Sequence, residues 1–251
     1  MENICIDTNN KVHVLKNITN IRNIKHIKKI SFRFQYLRFL GKGIFDLHTE
    51  LEELDLSYND LKKLPKDIFK YNVKLHTLKL GNNKIKTLNE DVIKYNTNLW
   101  LFDIEFNYLE TLPENIFKYN INLRSISLHS NIIKSLHEHI FKYNTELLDI
   151  YLSSNKLTSL PDNIFAFNVQ IIKVILKRNQ LTELPENIFI NNHDLMELDI
   201  SLNKLTSLDE NIFDNKEMFS VLKVYNNNFN SIPDKILNGN KILHIELKSP
   251  Y

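Results

Sequence analysis

The stretch "LEELDLSYNDLKKLPKDIFKYNVK", residues 51–74, sets a single asparagine, Asn59, among regularly spaced leucines. That asparagine returns every 24 residues, as Asn83, Asn107, Asn131, Asn155, Asn179, Asn203 and Asn227. A fixed period of this length means stacked units, none of which can bury its own apolar side, sharing one continuous core. Within each unit, positions one, four and six are apolar: Leu51, Leu54 and Leu56 in the first clear copy, Leu123, Ile126 and Leu128 in the fourth. The alternation at four and six has period two and predicts a short strand turning those side chains inward. Apolar positions 11 and 14 are spaced irregularly, which suits an irregular return segment better than a long helix. Successive strands then lie parallel, ~4.8 Å apart.

The asparagine follows from the turn. Behind the strand the chain must bend sharply inside a packed coil, freeing backbone N–H and C=O groups that no strand can reach. Each such group costs ~1–3 kcal/mol if buried unpaired. An inward amide carries a donor and an acceptor and can satisfy these groups in its own unit and the next. Leu would leave them open, and Asp would bury a charge. A weaker copy begins at Ile27, with Ile30, Phe32, Leu37, Leu40, Ile44 and Phe45 in register and Gln35 at the asparagine position. The eighth clear copy is one residue short, and Ile242, Ile245 and Leu247 open a ninth strand.

The unit L-x-x-L-x-L-x-x-N-x-L-x-x-L-P-x-x-I-F resembles the leucine-rich repeat family in its 24-residue typical form, over roughly residues 27–250. The resemblance implies an α/β-type solenoid: a right-handed coil with a concave parallel β-sheet and a largely irregular convex side. Phenylalanines at position 19 (Phe45, Phe69, Phe117, Phe141, Phe165, Phe189 and Phe213, with Ile93 and Leu237 as substitutes) are expected to stack as a spine. Position 17, often Gly in the family, is Asp67, Asp91, Asn115, His139, Asn163, Asn187, Asn211 and Lys235, and positive φ is expected at several of these. Asn72, Asn96, Asn120, Asn144, Asn168, Asn192 and Asn240 at position 22 read as a second amide ladder.

The expected organisation is an N-terminal cap at 1–26, then a solenoid at 27–251. The solenoid comprises the weak repeat 27–50, eight clear repeats over 51–241 and a terminal strand at 242–248. In the cap, "ENICID" and "KVHVL" around "TNN" read as a hairpin, and Ile18, Ile21, Ile24, Ile27 and Ile30 as a degenerate coil. His244, Glu246, Lys248 and Pro250 blunt the last strand's open edge. The state expected is a monomer, or a weak dimer through that edge.

With one cysteine, Cys5, neither a disulfide framework nor a four-cysteine metal site fits within the chain. No apolar run makes a signal peptide or a membrane span, so a cytoplasmic setting without a membrane partner is expected, and the sequon at Asn17 carries no meaning. Four glycines with one short cluster, Gly41-Lys42-Gly43, give no phosphate-binding loop, and no cofactor is implied. Net charge is +2, yet residues 1–42 hold nine Lys/Arg against two Asp/Glu. Nucleic-acid or acidic-partner binding through residues 11–42 is therefore the alternative function, set below the main one.

The main expectation is a non-catalytic protein–protein interaction module binding a protein or peptide partner on the concave face. Outward positions of nearby strands bring Leu101, Phe106, Tyr108, Tyr151 and Ile175 together, apolar or aromatic, with Asp103, Glu105, His129 and Lys177 among them. Aromatics amid a few charges have the composition of an interaction hot spot. Elsewhere row five alternates in sign, Asp55–Lys79–Asp103 and Asp199–Lys223–Glu246, and reads as self-neutralising. Asp103 and Glu105 have a spacing compatible with paired catalytic carboxylates, but an open sheet excludes no water and Lys79 is expected to hold Asp103 ionised. His137 and His139 are set aside as metal ligands for want of a third donor. A Lys–Tyr stripe at 70–71, 94–95, 118–119 and 142–143 reads as a solvated mixed surface.

Overall fold

The computed structural model describes residues 3–7, 9, 12–15, 21, 24, 26–214, 216, 219–239 and 244–246. Ile18, the sequon, Asn240, Ile242, Leu247, Lys248 and Pro250 lie outside the described residues. The strands are β1 (Asn3–Asp7), β2 (Val12–Leu15), β3 (Ile27–Ser31), β4 (Glu53–Asp55), β5 (Thr77–Lys79), β6 (Leu101–Asp103), β7 (Ser125–Ser127), β8 (Asp149–Tyr151), β9 (Lys173–Ile175), β10 (Glu197–Asp199), β11 (Val221–Lys223) and β12 (His244–Glu246). They form one sheet in chain order from β12 back to β3, with β1 and then β2 at its end. Pairing from β3 to β12 is parallel and in phase, Leu54 opposite Leu78 and Leu78 opposite Phe102. Only β1 runs antiparallel, to both β2 and β3.

The inward positions form a single core, with Leu54, Leu78, Phe102, Ile126, Ile150, Val174 and Leu198 fully buried. The return segments are chains of tight turns. In the first clear unit the N–H groups of Ile68, Lys70, Asn72 and Leu75 bond carbonyls three residues back, beginning at Pro65. Proline suits that start, because it fixes φ and no partner for its missing N–H is needed. The one α-helix among the described residues is α1, Asp234–Gly239.

The amides at position nine bond as the turn requires, with one difference of direction. Asn131 Oδ1 accepts from the N–H of Leu109 (3.0 Å), and Nδ2 donates to the carbonyls of Ile104 (3.0 Å) and Leu128 (3.0 Å). The partners thus lie in its own unit and the preceding one, not the next. The strand leads the chain forward, so the groups left open behind a bend face the asparagine that arrives one coil later. Asn59 serves the weak first unit in the same way, accepting from Gln35 and Leu37 N–H, both at 3.0 Å.

The second ladder also forms among the described residues. Asn96 Nδ2 donates to the carbonyls of Phe69 (3.1 Å) and Asn72 (2.9 Å), and Asn120, Asn144, Asn168 and Asn192 repeat this. The same position holds His48 at one end and Lys216 at the other. Burial pushes both below their ordinary pKa values.

The phenylalanine spine stacks from Phe45 to Phe69 (6.1 Å) and from Phe117 to Phe189, with Phe117–Phe141 centroids 6.0 Å apart, Phe141–Phe165 6.4 Å and Phe165–Phe189 5.7 Å; Phe213 stacks on Phe219 instead, at 4.1 Å. Ile93 interrupts it. Phe102, the ring at strand position four of the following unit, packs edge-on to Phe117 at 5.7 Å beside this gap. The smaller side chain is thereby offset by a larger one nearby, as native packing density demands.

Positive φ does not recur along position 17: of the eight residues expected to show it Asp67 alone does, with Gly43 at the same place in the weak first unit. It recurs at position eight: Phe34, Tyr58, Asn82, Phe106, Ser130, Ser154, Arg178, Leu202 and Asn226, all between 47° and 59°. These residues sit where the strand ends. From Phe34 to Leu202 their N–H groups stay bonded across units, as Tyr58 N to Gly81 O (2.9 Å), so the ladder imposes the left-handed conformation whatever the side chain.

Candidate interaction face

The left-handed residue at position eight swings its side chain out of the sheet beside position ten. In the N-terminal half this builds an aromatic groove of about 570 Å³ lined by Phe34, Tyr36, Tyr58, Phe106 and Tyr108, with Asn82, Asp60 and Lys84 between them. Phe34 and Tyr58 stack at 4.3 Å, and the Arg33 guanidinium lies 5.0 Å from the Tyr58 ring. Lys84 pairs with Asp60 at 2.6 Å, leaving the groove floor without net charge at that point. Tyr36 is 82% exposed and Tyr108 50%, far more than a folded core tolerates. Outward strand positions point to Phe106 and Tyr108; Phe34, Tyr36 and Tyr58 emerge only from the structure. The missing signal is the left-handed turn at position eight, which brings Phe34 and Tyr58 in the row of Phe106 together with Tyr36 and Tyr108 at position ten.

Beside the groove, Asp103, Glu105, Phe106 and His129 meet. His129 Nε2 contacts Glu105 Oε2 closely, and the His129 ring packs edge-on to Phe106 at 4.9 Å. Asp103 Oδ1 accepts from the Glu105 N–H at 3.0 Å. Burial nevertheless pushes Asp103 up to about 6, with the neighbouring Glu105 charge adding to it. The expected role of Lys79 is therefore corrected: Asp103 is still largely ionised at neutral pH, but desolvation outweighs the attraction of Lys79, the smallest of the influences on this carboxyl. Gly81 makes room for this cluster, since a Cβ there would stand 2.9 Å from Glu105 Cγ. Gly81→Ala is accordingly expected to displace Glu105 from His129. Imidazole NMR resonances of His129 should shift in the variant, and an unchanged spectrum would remove Gly81 from this role.

The remaining expected residues are less gathered. Tyr151 stands opposite Ile175 on the next strand, continuing row five from Ser127, and both are half-buried. Leu101 faces Ser125. Lys177 turns away toward Tyr225, 5.4 Å from its ring centre. Ion pairing also lies one register over from row five. Lys29–Glu53 and Lys173–Glu197, both 2.6 Å, join position-three residues, and Lys223 reaches Glu197 (3.9 Å). On the opposite border of the sheet a second cavity, about 560 Å³, is lined by Trp100, Arg124, Leu148 and Asp149 among others; Trp100 stacks on His76 at 5.9 Å.

The convex Lys–Tyr stripe is an interleaved ladder. Lys70 lies 5.5 Å from the Tyr71 ring and 5.9 Å from Tyr95, and Lys94, Lys118 and Lys142 repeat the bridge as far as Phe167. Each ammonium is shared between rings of adjacent units, so the stripe ties coils together.

The leucine rich repeat family model matches residues 49–118 and 121–171, within the array whose asparagine bonds are described above. The chain is a leucine-rich repeat protein. No curated protein matches it. Leucine-rich repeats generally mediate protein–protein interaction and typically serve as non-catalytic scaffolds. Among the described residues no helix is long and apolar enough to cross a membrane.

Proposed function

We propose that this leucine-rich repeat protein is a non-catalytic interaction module that engages a protein or peptide partner through its concave face. The aromatic groove is its anchor, and the Asp103–Glu105–His129 cluster forms its polar border. The reading rests on the groove: five rings converge in one trough while much of the sheet carries its own ion pairs. Rings held by a rigid coil offer large contact area with little ordering cost on binding. A cytoplasmic setting belongs to the same reading, supported by the single cysteine.

The alternative through residues 11–42 finds less support. Among the described residues, Lys28 pairs with Glu52 (3.0 Å), Lys29 with Glu53 (2.6 Å) and Arg33 with Asp55 (3.8 Å), which offsets much of the basic excess a phosphate backbone needs.

The test is affinity capture from the native cell with wild type, a Tyr58→Ser/Phe106→Ser variant and a Tyr151→Ser variant. Each substituted groove ring is partly exposed, so the fold is expected to survive, checked by circular dichroism. A partner retained by wild type should drop at least tenfold with the groove variant, in line with ~1.4 kcal/mol or more for truncated aromatic anchors. Equal recovery with both variants would take the groove out of the binding site; loss with Tyr151→Ser alone would move the site onto the strands.

A further inference from the structure

His137 and His139 sit in one unit and need a third donor to hold an ion. The coil supplies one from the unit before. Ligand atoms of Glu114, His137 and His139 all lie within 4.8 Å of one another, on the convex side. Glu114 Oε2 is 3.7 Å from His137 Nε2, and Glu138 Oε1 lies 3.8 Å from His139 Nε2 at the edge of this cluster.

The local sequence departs from the repeat to make this arrangement. Position 15 is Pro in Pro65, Pro113, Pro161, Pro185 and Pro233, but His in His137; position 17 is Asn in Asn115, Asn163, Asn187 and Asn211, but His in His139. Both imidazoles fall in one unit. The coil geometry explains the third partner. Position 16 of each unit abuts position 17 of the next: Glu90 Oε1 accepts from the Asn115 N–H at 3.1 Å, and Lys66 reaches Asp91 at 3.8 Å. At the next step the equivalent N–H, that of His139, is taken instead by His137 Nδ1 at 3.2 Å. Glu114 is thus released from the backbone and faces the rings.

The geometry points to a binding site for a divalent first-row cation of the zinc type at the seam between these two units, held by Glu114, His137 and His139, with water as the fourth donor. Two imidazoles with carboxylate oxygen are a borderline donor set that suits zinc and not magnesium, which prefers oxygens alone. Zinc bonds of about 2.0–2.1 Å put donors ~3.3 Å apart in a tetrahedron. The present separations must therefore contract by up to ~1.5 Å, within reach of side chains that are each 40–51% exposed. The Glu114 carboxylate offsets part of the charge of the ion. Coordination through His137 Nε2 leaves the ring proton on Nδ1, so loading breaks the bond from the His139 N–H, which turns to water at this surface. Bridging two coils, the ion would act as a staple across the convex side.

The experiment titrates zinc chloride into the full chain, followed by calorimetry and by histidine-ring and His139 amide NMR resonances. Expected are one saturable equivalent, joint shifts of His137, His139 and the His139 amide, and no response to magnesium chloride. The affinity should fall as pH is lowered, since protons compete for the ligands. His137→Pro and His139→Asn restore the residues other units carry at those positions, so both variants should fold. Each should weaken zinc binding at least tenfold, as should Glu114→Gln, whereas His129→Asn should not. No saturable binding below millimolar zinc, or binding that survives His137→Pro/His139→Asn together, overturns the proposal.

Discussion

Asn131→Leu is expected to lower the unfolding free energy by roughly 2–5 kcal/mol, a large part of the ~5–15 kcal/mol typical of a folded domain. The bonds say where the loss falls. The N–H of Leu109 loses the Asn131 Oδ1 acceptor and is left buried, worth ~1–3 kcal/mol. The carbonyls of Ile104 and Leu128 lose less, because Asn107 and Asn155 still donate to them at 3.2 and 3.0 Å. A branched apolar side chain in the amide's slot adds packing strain of ~1–3 kcal/mol. Urea unfolding of wild type and variant measures the total, and hydrogen exchange at Leu109 locates it. Asn131→Asp keeps the acceptor but presses a charge toward three carbonyl oxygens, so its cost should shrink on acidification. An unchanged midpoint for Asn131→Leu would refute the hydrogen-bonding account of the repeat.

Asp103→Asn should act in the opposite direction at neutral pH, raising stability by about 2–3 kcal/mol. The sign follows from linkage. An unfolded Asp titrates at ~3.9, and the folded one at about 6. Between those values the native state holds more protons than the unfolded one, so stability falls as pH rises through the interval. Above it, the native state carries a buried carboxylate, which costs about 1.4 kcal/mol for every tenfold weakening of the acid. Asn removes that charge and can still accept the Glu105 N–H. Unfolding at pH 4.5 and pH 7 should show the wild-type difference shrink in the variant; if stability at pH 7 does not rise, burial is not what governs this carboxyl. A chain that keeps such a group at its concave face carries a local stability cost there, as binding surfaces often do.

The period alone makes most of the architecture legible. Leu54, Leu78 and Phe102 must face inward because strand alternation leaves them no other side, and Asn131 must be buried because nothing else can serve the bend. The candidate interaction face is legible only in part. Phe106 and Tyr108 can be found from outward positions, but Phe34, Tyr36 and Tyr58 join them through a backbone handedness that no residue type announces. Rings and Arg occupy a left-handed site usually given to Gly or Asn, because cross-coil hydrogen bonds impose it. Glu114 escapes notice for a related reason. Its place beside His137, 23 residues on, depends on how position 16 meets position 17 of the next coil, residues 25 apart. Asp103 misleads because a sequence shows the charges nearby but not the water removed.

The backward direction of the asparagine bonds bears on how the molecule is made. During synthesis a bend leaves the ribosome about one full coil before the amide that closes it. At every moment the newest turn of a nascent chain has an open end, while the turn before it has just been sealed. Growth is therefore vectorial, each arriving segment finishing its predecessor, and a prematurely released fragment would always end in one unfinished coil.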